Sequence, residues 1–274
     1  MCELFAMSAR FPTTVQLSLD ELTLHGGATG PHRDGWGVAF VHEGDAFVIR
    51  EPDAASESAC LAFLRKQERP SEQVLAHIRK ATQGARLLRN TQPFMRELGG
   101  RAHLFAHNGM LTGIERDARF PARRFQPIGD TDSEHAFCAL LERIARLGEG
   151  SRALPSLEAR LAEVAAFAAD LGTLGPANFL YCDGDAIFAH GHRRTNDAGV
   201  VAPPGLHVLC RACNEAAPDE SPPLAGLSMP KLREQQVALV ASVPLSDEQW
   251  QPLAEGEVVV LREGKLVARH TPQQ

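Results

Sequence analysis

Two helical periodicities stand together in the middle of the sequence, with short alternating stretches before and after them. That order limits the fold more than any other feature. Residues 131–147 place Phe137, Leu140, Leu141 and Ile144 on one face of a helix. Residues 155–170 do the same with Leu157, Leu161, Val164, Ala165 and Ala168. Strands, then two long helices, then strands again predict an α+β chain of two antiparallel sheets packed face to face with helices outside. A doubly wound parallel sheet would alternate strand and helix more regularly.

The strand signals ahead of the helices run into polar groups. Residues 2–9 are short and apolar and are expected to stop at Phe11-Pro12. A short helix is expected over 18–24, before a glycine-rich loop at 25–31. Asp34-Gly35-Trp36-Gly37 puts two glycines beside a large ring, which suits either closely approached backbone or a turn over a buried indole. Residues 38–41 and 46–50 read as a hairpin around Glu43-Gly44-Asp45, and 56–69 as a helix stopped by Pro70. Residues 73–79 alternate Val74, Ala76 and Ile78 with polar neighbours and run into Arg79-Lys80-Ala81-Thr82-Gln83-Gly84. Residues 102–106 run into His107-Asn108-Gly109.

Thr131 with Glu134 has the form of a capping box. Asp132 then lies in the first turn of its helix, near unpaired N–H groups, either compensating the dipole or binding a ligand. Beyond the helices, 178–182 and 186–189 form a hairpin around Asp183-Gly184. His190 and His192 are read as surface residues at its end. Residues 206–210, 236–242 and 257–267 supply further strands, the last divided at Glu263-Gly264, and the proline-rich 214–231 reads as a loop.

At 274 residues and 44% hydrophobic content the chain can bury a substantial core. A formal charge of -6 carries no basic surplus, so nucleic acid is not expected as a partner. The apolar runs are strand-length, and no membrane segment is expected. Six irregularly spaced cysteines fit free thiols in a reducing compartment, which makes the expected location cytoplasmic.

Cys2 stands one residue behind the initiator methionine. With an ordinary pKa of about 8.5, a thiol needs a base to react at neutral pH. If Met1 is removed, the α-amine of Cys2, at about 7.7 to 8.0, can take that proton directly or through one water. A small apolar residue opening a strand is the plainer alternative.

Cys2, Arg79-Lys80-Ala81-Thr82, His107-Asn108-Gly109 and Thr131-Asp132-Ser133-Glu134, with Asp34-Gly35-Trp36-Gly37 ahead of the last three, resemble the class II glutamine amidotransferases. These are N-terminal-nucleophile hydrolases, and the likeness is to stand-alone members without a synthase domain. The resemblance covers nearly the whole chain and implies a single domain over 1–274 with a four-layer αββα sandwich. It implies Cys2 as the nucleophile that forms a γ-glutamyl thioester, with Asn108 and the Gly109 N–H as oxyanion hole. Arg79 would pair with the substrate α-carboxylate, Asp132 would hold its ammonium, and Thr82 would bond the glutamyl backbone. His107 is read as a positioner of Asn108 or as a buried structural histidine. Gln83 and Gln92 depart from the family, standing where relatives often carry histidine.

No cofactor and no metal are expected. Cys210-Arg211-Ala212-Cys213 lacks a second CxxC, so incidental thiols are favoured over a zinc site, with His207 the near additional ligand. The expected substrate is glutamine, its ammonia released or passed to a separate synthase. Alternatives are a γ-glutamyl amide on a larger, thiol-related metabolite, and a catalytically silent γ-glutamyl-binding subunit.

Overall fold

Successive side chains of the first strand, β1 (Glu3–Thr13), enter different cores, and that alternation sets the layering. Leu4 and Ala6 face a second sheet, while Phe5 and Met7 face outward. The computed structural model describes residues 2–15, 26–27, 32–67, 69–81, 83–149, 153–196, 199–212 and 235–272. The expected helix over 18–24 lies outside them, as does the loop over 214–231.

From β1 the chain makes the hairpin β2 (Trp36–His42) and β3 (Asp45–Glu51), the short helix α1 (Ala59–Leu64) and β4 (Ser71–Ile78). Next come β5 (Phe94–Leu98) and β6 (Arg101–Gly109), then the helices α2 (Asp132–Leu147) and α3 (Leu157–Gly172). β7 (Ala177–Cys182) and β8 (Ile187–Gly191) follow, with a small ribbon of β9 (Arg194–Thr195) and β10 (Val201–Ala202). β11 (His207–Ala212), β12 (Gln236–Ala241), β13 (Gln251–Pro252), β14 (Glu257–Arg262) and β15 (Lys265–His270) complete the order.

Among the described residues, one sheet has the order β13-β11-β12-β1-β4-β2-β3 and the other β15-β14-β8-β7-β6-β5, with antiparallel pairing throughout. Leu75, Leu104, Leu180, Val240 and Val259 fill the space between the sheets. Phe105, Phe179 and Phe188 of the second sheet pack under Phe137 of α2 and Phe167 of α3, with Phe105 and Phe137 stacked 5.5 Å apart. Trp36, Val38 and Phe40 of the first sheet lie under Leu61 and Leu64 of α1. The result is the expected αββα sandwich, with a thinner outer helical layer on the first sheet among the described residues.

Several boundaries differ from the sequence reading for local reasons. β1 continues through Phe11-Pro12 because the side-chain amide of Gln235 serves both the N–H and the C=O of Phe11, and the register against β4 shifts between Ser8 and Thr13. Of the helix expected over 56–69, only α1 forms among the described residues: the Ser58 hydroxyl caps its start by accepting the Leu61 N–H at 2.9 Å, and past Leu64 the N–H groups of Lys66 and Gln67 turn to carbonyls three residues back. β5 was not foreseen. β6 includes His107-Asn108-Gly109 instead of ending before it. His190 and His192 are buried, correcting the surface assignment, because β8 lies inside the sheet between β14 and β7.

Burial pushes His190 down to about 3, and His77 likewise, in the latter case with further lowering by Arg79. Both folded values lie below the ordinary one, so the unfolded chain takes up protons first. The stabilisation is therefore present above about pH 6.5 and is lost as pH falls, by about 2 kcal/mol for each histidine between pH 7 and pH 5. Urea unfolding at the two pH values should show this loss, and His190→Gln should flatten it. A pH dependence unchanged by that substitution would contradict the burial of a neutral His190.

Candidate active site

The same alternation brings the sequence motifs together. Leu104 and Ala106 face the gap between the sheets, and Asn108, two residues on, continues that face. Cys2 stands just ahead of β1, two residues before Leu4 on the opposing sheet. Asn108 Nδ2 donates to the Cys2 carbonyl at 2.6 Å. β4 ends beside β1, with Ile78 opposite Glu3, so its continuation passes the thiol: the Lys80 N–H donates to Cys2 Sγ at 3.3 Å. Burial pushes the Cys2 thiol up, while the Lys80 N–H and the Arg79 charge act the other way.

The Gly109 N–H has a defined direction. Met110 N–H donates to the Pro176 carbonyl, and antiparallel ladders alternate bonded and non-bonded pairs, so the Gly109 N–H turns away from β7. It points to the edge where β5 has ended, since Phe94 pairs with Phe105. Two residues back on that edge, the His107 N–H is taken by Gln92 Oε1 at 2.6 Å. A Cβ on Gly109 would lie 1.7 Å from the Pro176 carbonyl oxygen, so this close approach requires glycine.

His107 has the opposite parity and faces α2, where its Nδ1 lies 2.9 Å from Ser133 Oγ. Burial holds its pKa down, against the pull of Asp132. Asp132, at the first turn of α2, accepts the N–H groups of Leu111 and Ser133, each at 2.8 Å. Arg79 is buried and wraps a loop: Nη2 donates to the carbonyls of Gln83 and Gly84 at 2.8 and 2.9 Å, and Nη1 to that of Ala85 at 3.0 Å. Asn90 ties the same loop to the entrance of α2, through Ala85 O at 3.1 Å and Asp130 N at 2.9 Å. Thr82 lies outside the described residues.

A sequence model of the class II glutamine amidotransferases matches residues 1–274. The chain belongs to that family. YafJ of Escherichia coli K12, named as a candidate glutamine amidotransferase, is 34% identical over 94% of this chain and 96% of its own. A crystal structure of a Pseudomonas aeruginosa protein, predicted to be a glutamine amidotransferase, is 30% identical and covers 97% of this chain and 100% of its own, with a TM-score of 0.67. The glutamine phosphoribosylpyrophosphate amidotransferase of B. subtilis shares the fold at 15% identity and a TM-score of 0.57; the match covers 96% of this chain and 47% of that longer one. The function is accordingly of the class II glutamine amidotransferase type.

In this amidotransferase the capping box is only half formed. Thr131 Oγ1 accepts the Glu134 N–H at 3.3 Å, but the Glu134 carboxylate turns to Arg96 and to the Gly129 N–H, both at 2.6 Å. A buried carboxylate gains more from a guanidinium than from a single N–H. Cys210 is exposed on β11 and Cys213 lies outside the described residues. Among the described residues no group of three or more His, Cys, Asp or Glu is placed to hold a metal, and no helix is long and apolar enough to cross a membrane. The sequence reading did not single out Asn90, Ser133 and Asn178, and it took Gln92 only as a departure. A polar residue at a core position of a strand, as at Asn178, was the signal available.

Gly109→Ala must move the Pro176 carbonyl or the strand end, and overpacking of this kind should cost roughly 3 kcal/mol in urea unfolding. Gly148→Ala, whose Cβ would meet nothing closer than 3.9 Å, is the control and should stay within about 0.5 kcal/mol. Equal midpoints for the two would contradict the close approach of Gly109 to Pro176.

Proposed function

We propose that the protein hydrolyses the γ-amide of glutamine to glutamate and ammonia, with Cys2 as nucleophile. The observation that carries this reading is the bond between the Asn108 amide and the Cys2 main chain in a chain of this family. With its thiol raised by burial, Cys2 needs an adjacent base. After loss of Met1, its own α-amine takes the thiol proton and the sulfur bonds to the side-chain amide carbon, Cδ, moving its carbonyl π pair onto oxygen. Collapse of that oxyanion expels the nitrogen as ammonia, protonated from the α-amine, and leaves the thioester. Water, deprotonated by the same amine, then displaces the thiolate and gives glutamate. The ammonia is released or passed to a separate synthase.

Asn108 Nδ2 carries two hydrogens and spends one on Cys2 O; the other, with the Gly109 N–H, serves the oxyanion. The substrate carboxylate displaces loop carbonyls from Arg79, since a bidentate charged pair is stronger than bonds to neutral oxygens. Asp132 has lone pairs left over for the ammonium, and Thr82 bonds the glutamyl backbone.

Ammonia release from glutamine, compared with turnover of γ-glutamyl amides of larger amines, tests the reading. Faster cleavage of the larger amides would move the assignment to that substrate class, and no turnover of any of them would overturn it. A fixed extension ahead of Cys2, verified by intact mass, should abolish turnover and leave the fold. Asn108→Ala should lower kcat by about a hundredfold with KM within a few fold, because an oxyanion donor acts in the transition state. Near-normal kcat in folded Asn108→Ala would remove the oxyanion role.

A further inference from the structure

Asn178 is Asn108's cross-strand partner and is fully buried. Its Nδ2 donates to the Asn108 carbonyl at 3.1 Å and to the Arg193 carbonyl at 2.7 Å, and its Oδ1 accepts the His192 N–H at 2.7 Å. The main chain closes over it at Gly205, where a Cβ would fall 1.6 Å from Oδ1. The Asn108 carbonyl belongs to the same peptide unit as the Gly109 N–H. That unit is planar and trans, so a bond that fixes the carbonyl also fixes the direction of the N–H on the opposite edge.

The contacts continue past Asn178. Arg194 Nη1, next to Arg193, donates to the Ser242 carbonyl at 2.7 Å. Ser242 clamps Leu4 from both sides: its N–H donates to Leu4 O, and its Oγ accepts Leu4 N–H, each at 3.0 Å. Leu4 is two residues from Cys2, whose carbonyl accepts from Asn108. The path is therefore closed, running from the Asn108 strand through residues 192–194 to the Cys2 strand and back across the gap between the sheets.

We propose that Asn178 is a positioning residue for amide hydrolysis: it aims the Gly109 N–H and, through residues 192–194, fixes the Cys2 strand relative to the oxyanion donors. This rests on the Cys2 hydrolase reading above. Loss of Asn178 should then act on the transition state and leave ground-state binding of the glutamyl group intact.

The test uses Asn178→Asp, which keeps size and the acceptor but faces two carbonyls with an oxygen, together with Asn178→Ala. A glutamine analogue with an aldehyde in place of the amide adds the Cys2 thiol across its C=O, placing the resulting oxygen in the oxyanion hole. Glutamate probes the ground state alone. In both variants kcat should fall by about 30-fold and the aldehyde should bind weaker by a similar factor, with KM and glutamate affinity within about threefold. Alkylation of Cys2 by iodoacetamide, which uses no oxyanion hole, should stay within about twofold. If neither Asn178 variant folds, Ser242→Ala, which cuts the path at the Leu4 N–H, should show the same pattern at smaller amplitude. Unchanged aldehyde affinity in the variants, or a raised KM at constant kcat, would overturn the positioning role alone. A wild-type protein that neither turns over γ-glutamyl amides nor binds the aldehyde would take the hydrolase reading down with it.

Discussion

One hydrogen bond, from the Asn108 amide to the Cys2 carbonyl, crosses from one sheet to the other, and the arrangement of the candidate site depends on it. It requires strand parity on both sides. A slip of one residue in β6 would turn Asn108 toward α2 and swing His107 into the gap. Small and apolar side chains below the bond, Leu4 and Ala6 opposite Leu104 and Ala106, let the sheets pack closely enough for it to form. The register is held by more than the ladders. Gln92 occupies the His107 N–H, and Ser242 brackets Leu4.

Polar groups are concentrated at both ends of the sandwich, but they differ in what they leave available. At the end away from Cys2, Arg160 of α3 is buried against Asp183 and also reaches Asp185 at 2.8 Å, holding the β7–β8 turn. A cavity of 540 Å³ lies at that end, beside Gln73 at the start of β4. Its three arginines are engaged, Arg101 with Gly184 O, Arg262 with Asp185 and Arg10 over the Phe11 ring. These groups satisfy one another around a turn. At the Cys2 end, the thiol is held only by the main chain of Lys80, at 3.3 and 3.4 Å, and Asn108 Nδ2 spends one of its two hydrogens on the Cys2 carbonyl.

Much of this was legible in the sequence because it is local. The alternation through Val74, Ala76 and Ile78, and through residues 102–106, placed two polar motifs at strand ends, and the helical periodicities divided the strands into two groups. What escaped depends on which strands become neighbours. Asn178 meets Asn108 only because β7 pairs with β6, and His190 is buried only because β8 is an interior strand. Glu134 obeyed a local pattern at its backbone and a tertiary one at its carboxylate, since Arg96 arrives from β5, a strand the sequence did not disclose. The helix expected from 56 starts at Ala59 for a local reason present in the sequence, a serine at 58 suited to capping.

On the proposed reading, the elements that would carry the chemistry and those that would recognise the amino-acid end of the substrate are supported differently. Asn108 and Gly109 stand at the end of β6, paired with β7 on one side and past the end of β5 on the other, and the Asn178 amide holds the Asn108 carbonyl before any substrate arrives. Such preorganisation is where an oxyanion hole derives its effect, because the donors need no reorientation as charge develops. Arg79 instead holds a loop by its carbonyls, and on the proposed reading a carboxylate must displace them. Binding an α-carboxylate there would free the carbonyls of residues 83–85, which stay tied to the entrance of α2 through Asn90 and hence to the helix turn that carries Asp132. On that reading, recognition of the two charged ends of one amino acid would be coupled through a single loop, whereas the Asn108 and Gly109 donors stand on a strand of the other sheet.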